Sequence, residues 1–129
     1  MFLSIDFQSE RPIYEQIYRQ IIEGIAKNHL EPGDSLPSVR QLGEQLGVNM
    51  HTIHKSYQWL REDGYVVMDR RKGATIANPL PPKTKIWEER RREELTFLLA
   101  EGLVRGMKID EFEKELHDLL KSLEKGGRL

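Results

Sequence analysis

The sequence contains no cysteine, so disulfide bonds and thiolate metal sites are excluded. It has no apolar run approaching the roughly 18 residues that a transmembrane helix needs. Its opening residues lack the basic segment and apolar stretch of a secretory signal. We therefore expect a cytoplasmic protein with no membrane partner.

An excess of charge of either sign is also missing. The 129 residues carry 20 basic and 21 acidic side chains, for a net charge of −1. Residues 1–79 hold 9 basic and 10 acidic side chains, and residues 80–129 hold 11 of each. The net charge therefore gives no indication of nucleic-acid binding, and any DNA-binding surface must come from the local placement of charge rather than from bulk basicity.

Catalytic motifs are scarce as well. The chain shows no paired-carboxylate, nucleophile or phosphate-loop pattern, which predicts that it is not an enzyme and uses no cofactor. His51 and His54 stand three residues apart on one predicted helix face and could share a metal ion. No third ligand lies near them in the sequence, although acidic residues elsewhere in the fold could supply one. We expect no metal site.

Hydrophobic periodicity predicts an amphipathic first helix over roughly residues 12–29. Ile13, Ile17, Ile21 and Ile25 recur at every fourth position. The helix is expected to end before residues 31–34, which form a typical turn sequence.

Capping signals then predict two short helices joined by a tight turn. Ser38 and Gln41 have the spacing of a capping box that opens the first of these helices. Gly47 suits the left-handed position that closes it, and Asn49 suits the cap of the next helix. Both helices would bury one apolar side, formed by Val39, Leu42, Leu46, Ile53, Tyr57 and Leu60. The pattern indicates a helix-turn-helix unit.

A β-hairpin is predicted after this unit. Residues 65–69 and 74–77 are two β-prone runs that flank a basic turn ending in glycine. A hairpin in this position is the wing of a winged helix-turn-helix.

The carboxyl-terminal part predicts a linker and two further helices. Residues 79–83 are rich in proline and would form a stiff linker. One helix is expected over roughly 84–105, and another begins at Asp110, with Glu113 completing a capping box. The predicted fold is therefore mostly α with a small β-hairpin. It consists of a winged helix-turn-helix in residues 1–78, the linker, and a two-helix dimerisation segment in residues 84–129.

The second helix of the helix-turn-helix is predicted to contact DNA. Its free face carries the kinds of side chain that meet base edges and phosphates. The predicted DNA-binding residues are Ser38, Arg40, Asn49, His51, Thr52, His54, Lys55, Arg70, Arg71, Lys72 and Gly73. A merely solvated helix also has a polar outer face, and some winged helices bind proteins, so both alternatives stay open.

The two carboxyl-terminal helices need a partner, because two helices of about five turns cannot form a core alone. The predicted dimer interface consists of Trp87, Leu95, Leu98, Leu99, Leu103, Phe112, Leu116, Leu119 and Leu123. The alternative is that these side chains fold back on the winged domain of the same chain. We favour a homodimer, since it would present two recognition helices to half-sites roughly 34 Å apart.

These residues resemble a known family. The runs LPSVRQL at 36–42, LGVN at 46–49 and GAT at 73–75, with PIYEQI at 12–17, together resemble the DNA-binding domain of the GntR family. Thr52-Ile53, Tyr57, Leu60 and Gly64-Tyr65 fit the same pattern, and the resemblance covers about residues 8–78.

The resemblance implies a transcription regulator that binds double-stranded DNA. It implies that Arg40 grips phosphate or guanine, that Asn49, His51 and Thr52 open the recognition helix, and that Gly73 is the wing glycine. Many members have arginine where this chain has Met50, so a guanine contact is lost there. The operators of those members should not be transferred to this chain.

The short tail resembles the YtrA-type subfamily, whose tails serve in dimerisation and are too small for the usual effector pocket. The resemblance implies a homodimeric repressor that acts on an inverted-repeat operator, and its members often regulate transporter operons. A small-molecule effector is possible, but no residue set identifies one. It could bind only at the dimer interface or between tail and wing.

Overall fold

The computed structural model describes residues 3–124 in two compact units, the first ending at Pro81 and the second beginning at Pro82. Residues 1–2 and 125–129 of the predicted segments lie outside the described residues. The first unit contains α1 (Ile13–Ala26), α2 (Val39–Leu46), α3 (Met50–Glu62), β1 (Val66–Asp69) and β2 (Gly73–Ile76). The second contains α4 (Lys85–Val104) and α5 (Ile109–Glu124). The predicted fold class, mostly α with a winged helix-turn-helix, is confirmed.

The core of the first unit lies where α1, α2, α3 and the hairpin meet. Ile17 and Ile21 of α1 are fully buried, as are Leu42 of α2 and Ile53 of α3. Burial of each such side chain contributes about 1.5–3 kcal/mol. This packing holds α3 in place as a rigid element. None of the helices in the described part of the chain is long and apolar enough to cross a membrane.

Helix α1 is shorter than its apolar periodicity predicts, ending at Ala26 rather than near residue 29. Asn28 adopts a left-handed backbone conformation with φ of 65°. The N–H groups of His29 and Leu30 both donate to the Gly24 carbonyl, at 2.8 and 3.2 Å. Apolar spacing continues across this reversal because Leu30 is also buried, so periodicity alone could not locate the helix end.

The predicted caps of the helix-turn-helix are confirmed. The Ser38 hydroxyl accepts from the Gln41 N–H at 3.1 Å, and the Gln41 side chain accepts from the Ser38 N–H at 3.0 Å. Gly47 closes α2 with φ of 67°. The Asn49 side-chain oxygen caps α3 by accepting from the His51 N–H at 2.8 Å.

The wing is tied to the start of α2. Strands β1 and β2 pair antiparallel from Val66 opposite Ile76 to Asp69 opposite Gly73. Along the other edge of β2, the Leu36 N–H donates to the Ala74 carbonyl at 2.8 Å. The segment that leads into α2 is thereby fixed to the strand that leads out of the wing.

The second unit differs from the prediction at the start of α5. The helix begins at Ile109, and the Glu111 carboxylate accepts from the Lys108 N–H at 3.1 Å. The expected pair of Asp110 with Glu113 is wrong by two residues. Because α5 already begins at Ile109, Lys108 is the residue before the helix, and Glu111, three residues on, is the side chain that reaches its backbone N–H.

Gly102 allows α4 and α5 to approach each other closely near the turn that joins them. Gly102 is the buried residue of α4, and a Cβ there would lie 2.6 Å from the Phe112 ring and 3.0 Å from the Met107 sulfur. Helix α4 continues past Gly102 to Val104, close to the predicted end near residue 105. The lack of a side chain at Gly102 makes room for Phe112.

Candidate nucleic-acid interface

Helix α3 divides into a buried and an exposed face. Ile53, Ser56, Tyr57 and Leu60 are buried, as the spacing of the three apolar residues predicts. The opposite face exposes His51, His54, Lys55 and Gln58, and Thr52 is half-buried. The structure therefore presents most of the predicted recognition side chains on one accessible surface.

Two buried hydroxyl groups fix α3 from both sides. The Tyr57 hydroxyl donates to the Pro37 carbonyl at 2.7 Å, which ties α3 to the start of α2. The Ser56 hydroxyl donates to the Tyr14 carbonyl at 2.7 Å, which ties α3 to the start of α1. Burial raises the pKa of the Tyr57 hydroxyl, so it remains a neutral donor at physiological pH.

Gly43 allows the close approach of α2 and the turn before α3. A Cβ at this position would lie 2.7 Å from the Val48 carbonyl oxygen, a backbone atom that cannot move aside easily. The approach leaves an open groove between the two helices, lined by Arg40, Gly43, Glu44, Gly47, Val48 and Met50. Arg40 and Met50 thus border one surface with the first turn of α3.

The wing tip is a turn ordered by one carboxylate. Asp69 accepts from the N–H groups of Arg71 at 2.7 Å and Lys72 at 3.0 Å. These backbone hydrogen bonds lower the pKa of Asp69 below its ordinary value. Gly73 follows with φ of 76°, a conformation that favours glycine. The side chains of Arg70, Arg71 and Lys72 are exposed.

Three of the predicted contact residues already have a role inside the protein. The Ser38 hydroxyl and the Asn49 side-chain oxygen both accept helix-cap hydrogen bonds, which leaves the Asn49 amide N–H groups as its donors to a ligand. The Lys55 ammonium lies 3.9 Å from the centre of the Tyr14 ring. In the described part of the chain, no group of three or more His, Cys, Asp or Glu side chains could hold a metal ion.

Two glutamines of α1 were not singled out from the sequence. Gln16, 7% exposed, accepts from the Asp6 N–H at 2.9 Å and donates to the carbonyls of Asp6 at 3.0 Å and Arg11 at 2.9 Å. Gln20 accepts from the Ser4 N–H at 3.0 Å and donates to the Ser4 carbonyl at 2.8 Å. These side chains fix the amino-terminal segment along α1. A polar residue inside a helical pattern gives no signal for such a role.

The second unit exposes a large apolar surface within the single chain. Seven of the nine predicted interface residues are exposed: Trp87, Leu95, Leu98, Leu99, Leu103, Leu116 and Leu119. Phe112 and Leu123 are half-buried. Additional apolar side chains are exposed beside them, namely Ile86, Phe97, Val104, Ile109 and Leu120.

The sequence also matches known proteins. Residues 13–76 match the model of the bacterial regulatory proteins of the gntR family. The chain is 37% identical over 122 residues to the uncharacterised helix-turn-helix transcriptional regulator YhcF of Bacillus subtilis, spanning 94% of this chain and 97% of that protein. Over an alignment of 132 positions it is 33% identical to the transcriptional repressor YtrA of the same organism. This alignment spans 98% of this chain and 97% of YtrA.

The chain belongs to the GntR family. Among solved structures, a protein described as a transcriptional antiterminator from Listeria monocytogenes has a TM-score of 0.88 at 29% identity, over 96% of this chain and 92% of that one. YtrA from Sulfolobus acidocaldarius, a GntR-family transcription factor, has a TM-score of 0.64 at 39% identity, over 78% and 99%. These relatives place this GntR protein in the YtrA-type subfamily.

A solved complex with DNA is also similar to this GntR-family chain. The DNA-binding domain of AraR, bound to its operator ORX1, has a TM-score of 0.53 at 27% identity, over 60% of this chain and 99% of that one. The family and this likeness support DNA binding. The chain is a helix-turn-helix regulator of transcription that binds DNA, and its relatives are regulators rather than enzymes.

Proposed function

We propose that this chain is a sequence-specific repressor that binds an inverted-repeat operator as a homodimer. The observation that carries the proposal is the pair of exposed surfaces on one chain. A polar face of α3 lies beside Arg40, and apolar faces of α4 and α5 lie exposed. The first surface suits a DNA groove, and the second suits a second copy of the chain.

The first turns of α3 would read base edges. His51 and Thr52, with the amide N–H groups of Asn49, supply donors and acceptors for the major groove. Met50 is 38% exposed and offers an apolar contact to a thymine methyl group in place of the guanine contact of many relatives. Arg40 would hold the phosphate backbone.

The basic wing would add further contacts with the backbone. Arg70, Arg71 and Lys72 would reach phosphates or the minor groove, because the Asp69 turn holds them at the tip of the hairpin. Gly73 completes that turn.

The distribution of apolar residues on α4 supports the homodimer. Leu95 and Leu99 lie on one side of the helix, whereas Phe97 and Val104 lie nearly opposite, since successive residues rotate by about 100°. A helix that is apolar on two sides belongs inside a bundle. Helix α5 carries one stripe and would pack on the outside of the same bundle. A second copy supplies the missing helices.

The direction of regulation and the target are further parts of the proposal. The Bacillus subtilis relative YtrA is named a repressor, and this chain is similar to it over nearly its whole length. By the subfamily resemblance, we propose a transporter operon as the target. Binding of a dimer across a promoter would exclude RNA polymerase.

In the experiment, the purified protein is titrated into a fluorescently labelled duplex taken from the region upstream of its own gene. Binding is measured as the increase in fluorescence anisotropy of the duplex. Footprinting should reveal an inverted repeat with half-site centres roughly 34 Å apart. The logarithm of the binding constant should fall linearly with the logarithm of salt concentration.

The test variant is Arg40→Ala. The slope of its binding constant against salt concentration, both on logarithmic scales, should be lower by about one for each phosphate contact removed. Binding that is indifferent both to salt and to Arg40 would instead favour a winged helix that contacts proteins. Sedimentation of the same sample tests the homodimer, and a single-chain species at micromolar concentration would overturn that part.

A further inference from the structure

We infer that Tyr14 and Trp59 form an aromatic platform that positions the Lys55 ammonium to contact a DNA phosphate. The Lys55 Nζ lies 3.9 Å from the centre of the Tyr14 ring and 6.0 Å from that of Trp59. The two rings meet edge to face, with centres 4.9 Å apart and planes at 76°. This inference rests on the proposed DNA surface and assigns a role in it to α1.

The position of the platform is fixed by the packing of α1 on α3. The buried Ser56 hydroxyl donates to the Tyr14 carbonyl at 2.7 Å, one residue beyond Lys55 in the sequence. Tyr18, one turn along α1, also meets Trp59 edge to face, with centres 6.0 Å apart. The Tyr14 ring is therefore held beside Lys55 by contacts that do not depend on the lysine.

The Lys55 charge is available to a ligand. Within residues 3–124, no carboxylate forms an ion pair with Lys55. Glu15, which follows Tyr14, is engaged by Arg11 and by Arg19. A ring face attracts the ammonium but does not neutralise it, so the charge remains to attract a phosphate.

Lys55 lies one helical turn after His51 on the exposed face of α3. If the amino-terminal turns of α3 enter the major groove, a side chain one turn later lies beside the groove wall, where the phosphates are. A free lysine side chain loses rotamer entropy when it is ordered by a contact. Confinement by the two rings reduces that loss before DNA arrives.

The test uses phosphate contacts that do not depend on sequence, so it needs no operator. The full-length protein is titrated at several salt concentrations with a random-sequence duplex of about three helical turns. Lys55→Met should lower the salt slope by about one for each copy that contacts the duplex. Lys27→Met, at the far end of α1, is the matched control and should leave the slope unchanged.

Tyr14 is tested by a pair of substitutions. Tyr14→Leu should weaken binding about two- to fivefold per contact without changing the salt slope, because the lysine still reaches the phosphate but is no longer confined. Tyr14→Phe keeps the ring face and should bind like the unaltered protein.

The double variant Tyr14→Leu with Lys55→Met decides the inference. If the platform acts through the lysine, Tyr14→Leu has no further effect once Lys55 is replaced. Equal losses in both backgrounds, or equal losses for Tyr14→Leu and Tyr14→Phe, would overturn it. Because Lys55 is exposed, Lys55→Met should fold, and an unchanged slope for that variant alone also overturns the inference. Failure of the unaltered protein to bind any duplex would refute the proposed function instead.

Discussion

At the scale of single residues, Gly43 shows how one missing side chain shapes the recognition unit. Alanine normally stabilises a helix interior over glycine by about 0.5–1 kcal/mol. A Cβ at Gly43, however, would lie 2.7 Å from the Val48 carbonyl oxygen. The backbone would have to shift, and overpacking of this kind costs about 1–3 kcal/mol. The steric effect therefore exceeds the gain in helix propensity.

We predict that Gly43→Ala lowers the free energy of unfolding by about 1 kcal/mol, the middle of the overpacking range less the middle of the helix gain. The variant should also bind DNA more weakly, since the turn between α2 and α3 must open. Urea denaturation and anisotropy measure the two effects. Gln45→Ala, at an exposed position of the same helix, is the control and should change stability by less than about 0.5 kcal/mol. A more stable Gly43→Ala variant would contradict the predicted clash.

At the scale of helices and strands, local signals in the sequence predicted most of the fold. The capping box of Ser38 with Gln41, the left-handed Gly47 and the Asn49 cap all involve partners within four residues. Such contacts depend only on the backbone path that the same residues create. The order of helices and the hairpin could therefore be predicted without any knowledge of tertiary packing.

Contacts between distant elements could not be predicted in this way. Gln16 binds the backbone of Asp6, and Tyr57 binds that of Pro37, across ten and twenty residues. Lys55 looks like a free cation on a helix face, yet it lies over the Tyr14 ring. Sequence spacing reports which face a residue occupies but not which side chain of another element meets it.

The contact between Tyr57 and Pro37 is open to a direct test. Tyr57→Phe removes the hydroxyl that ties α3 to the start of α2 and leaves a half-buried carbonyl without that donor. We predict a loss of about 1 kcal/mol in the free energy of unfolding, the usual net value of one such hydrogen bond. Urea denaturation at neutral pH measures it. An unchanged midpoint would mean that water replaces the hydroxyl fully.

The pH dependence of the same residue gives a second measurement. Burial raises the folded-state pKa of Tyr57 above its ordinary value of 10.0, so the unfolded chain loses that proton first. The resulting contribution to stability is complete below pH 10 and is lost as the pH rises above it. Tyr57→Phe should therefore lose less stability than the unaltered protein when the pH is raised past this point.

At the scale of the whole molecule, the two units differ in what they bury. The first unit buries an apolar core and exposes polar recognition side chains. In the second unit, α5 buries none of its described residues and α4 buries Gly102. A segment of this kind lacks a core of its own, so its apolar side chains are available for association.

We predict that Leu98→Glu abolishes the proposed homodimer while the first unit stays folded. Leu98 is 61% exposed in the single chain, so glutamate there can be accommodated in a monomer but not in an apolar bundle. Sedimentation should show a single-chain species, and far-UV circular dichroism should remain helical. Operator affinity should fall by about a hundredfold or more, because the two half-sites would no longer be bound by linked domains.

The comparison with Arg40→Ala separates assembly from DNA contact. Both variants should bind DNA weakly, but Arg40→Ala should remain dimeric and Leu98→Glu should not. Glu115→Gln, a polar substitution at an exposed position of α5, is the matched control for the tail and should change neither property. If Leu98→Glu sediments like the unaltered protein, the second copy does not pack on this face of α4. The spacing of the recognition helices would then have to be set by another surface.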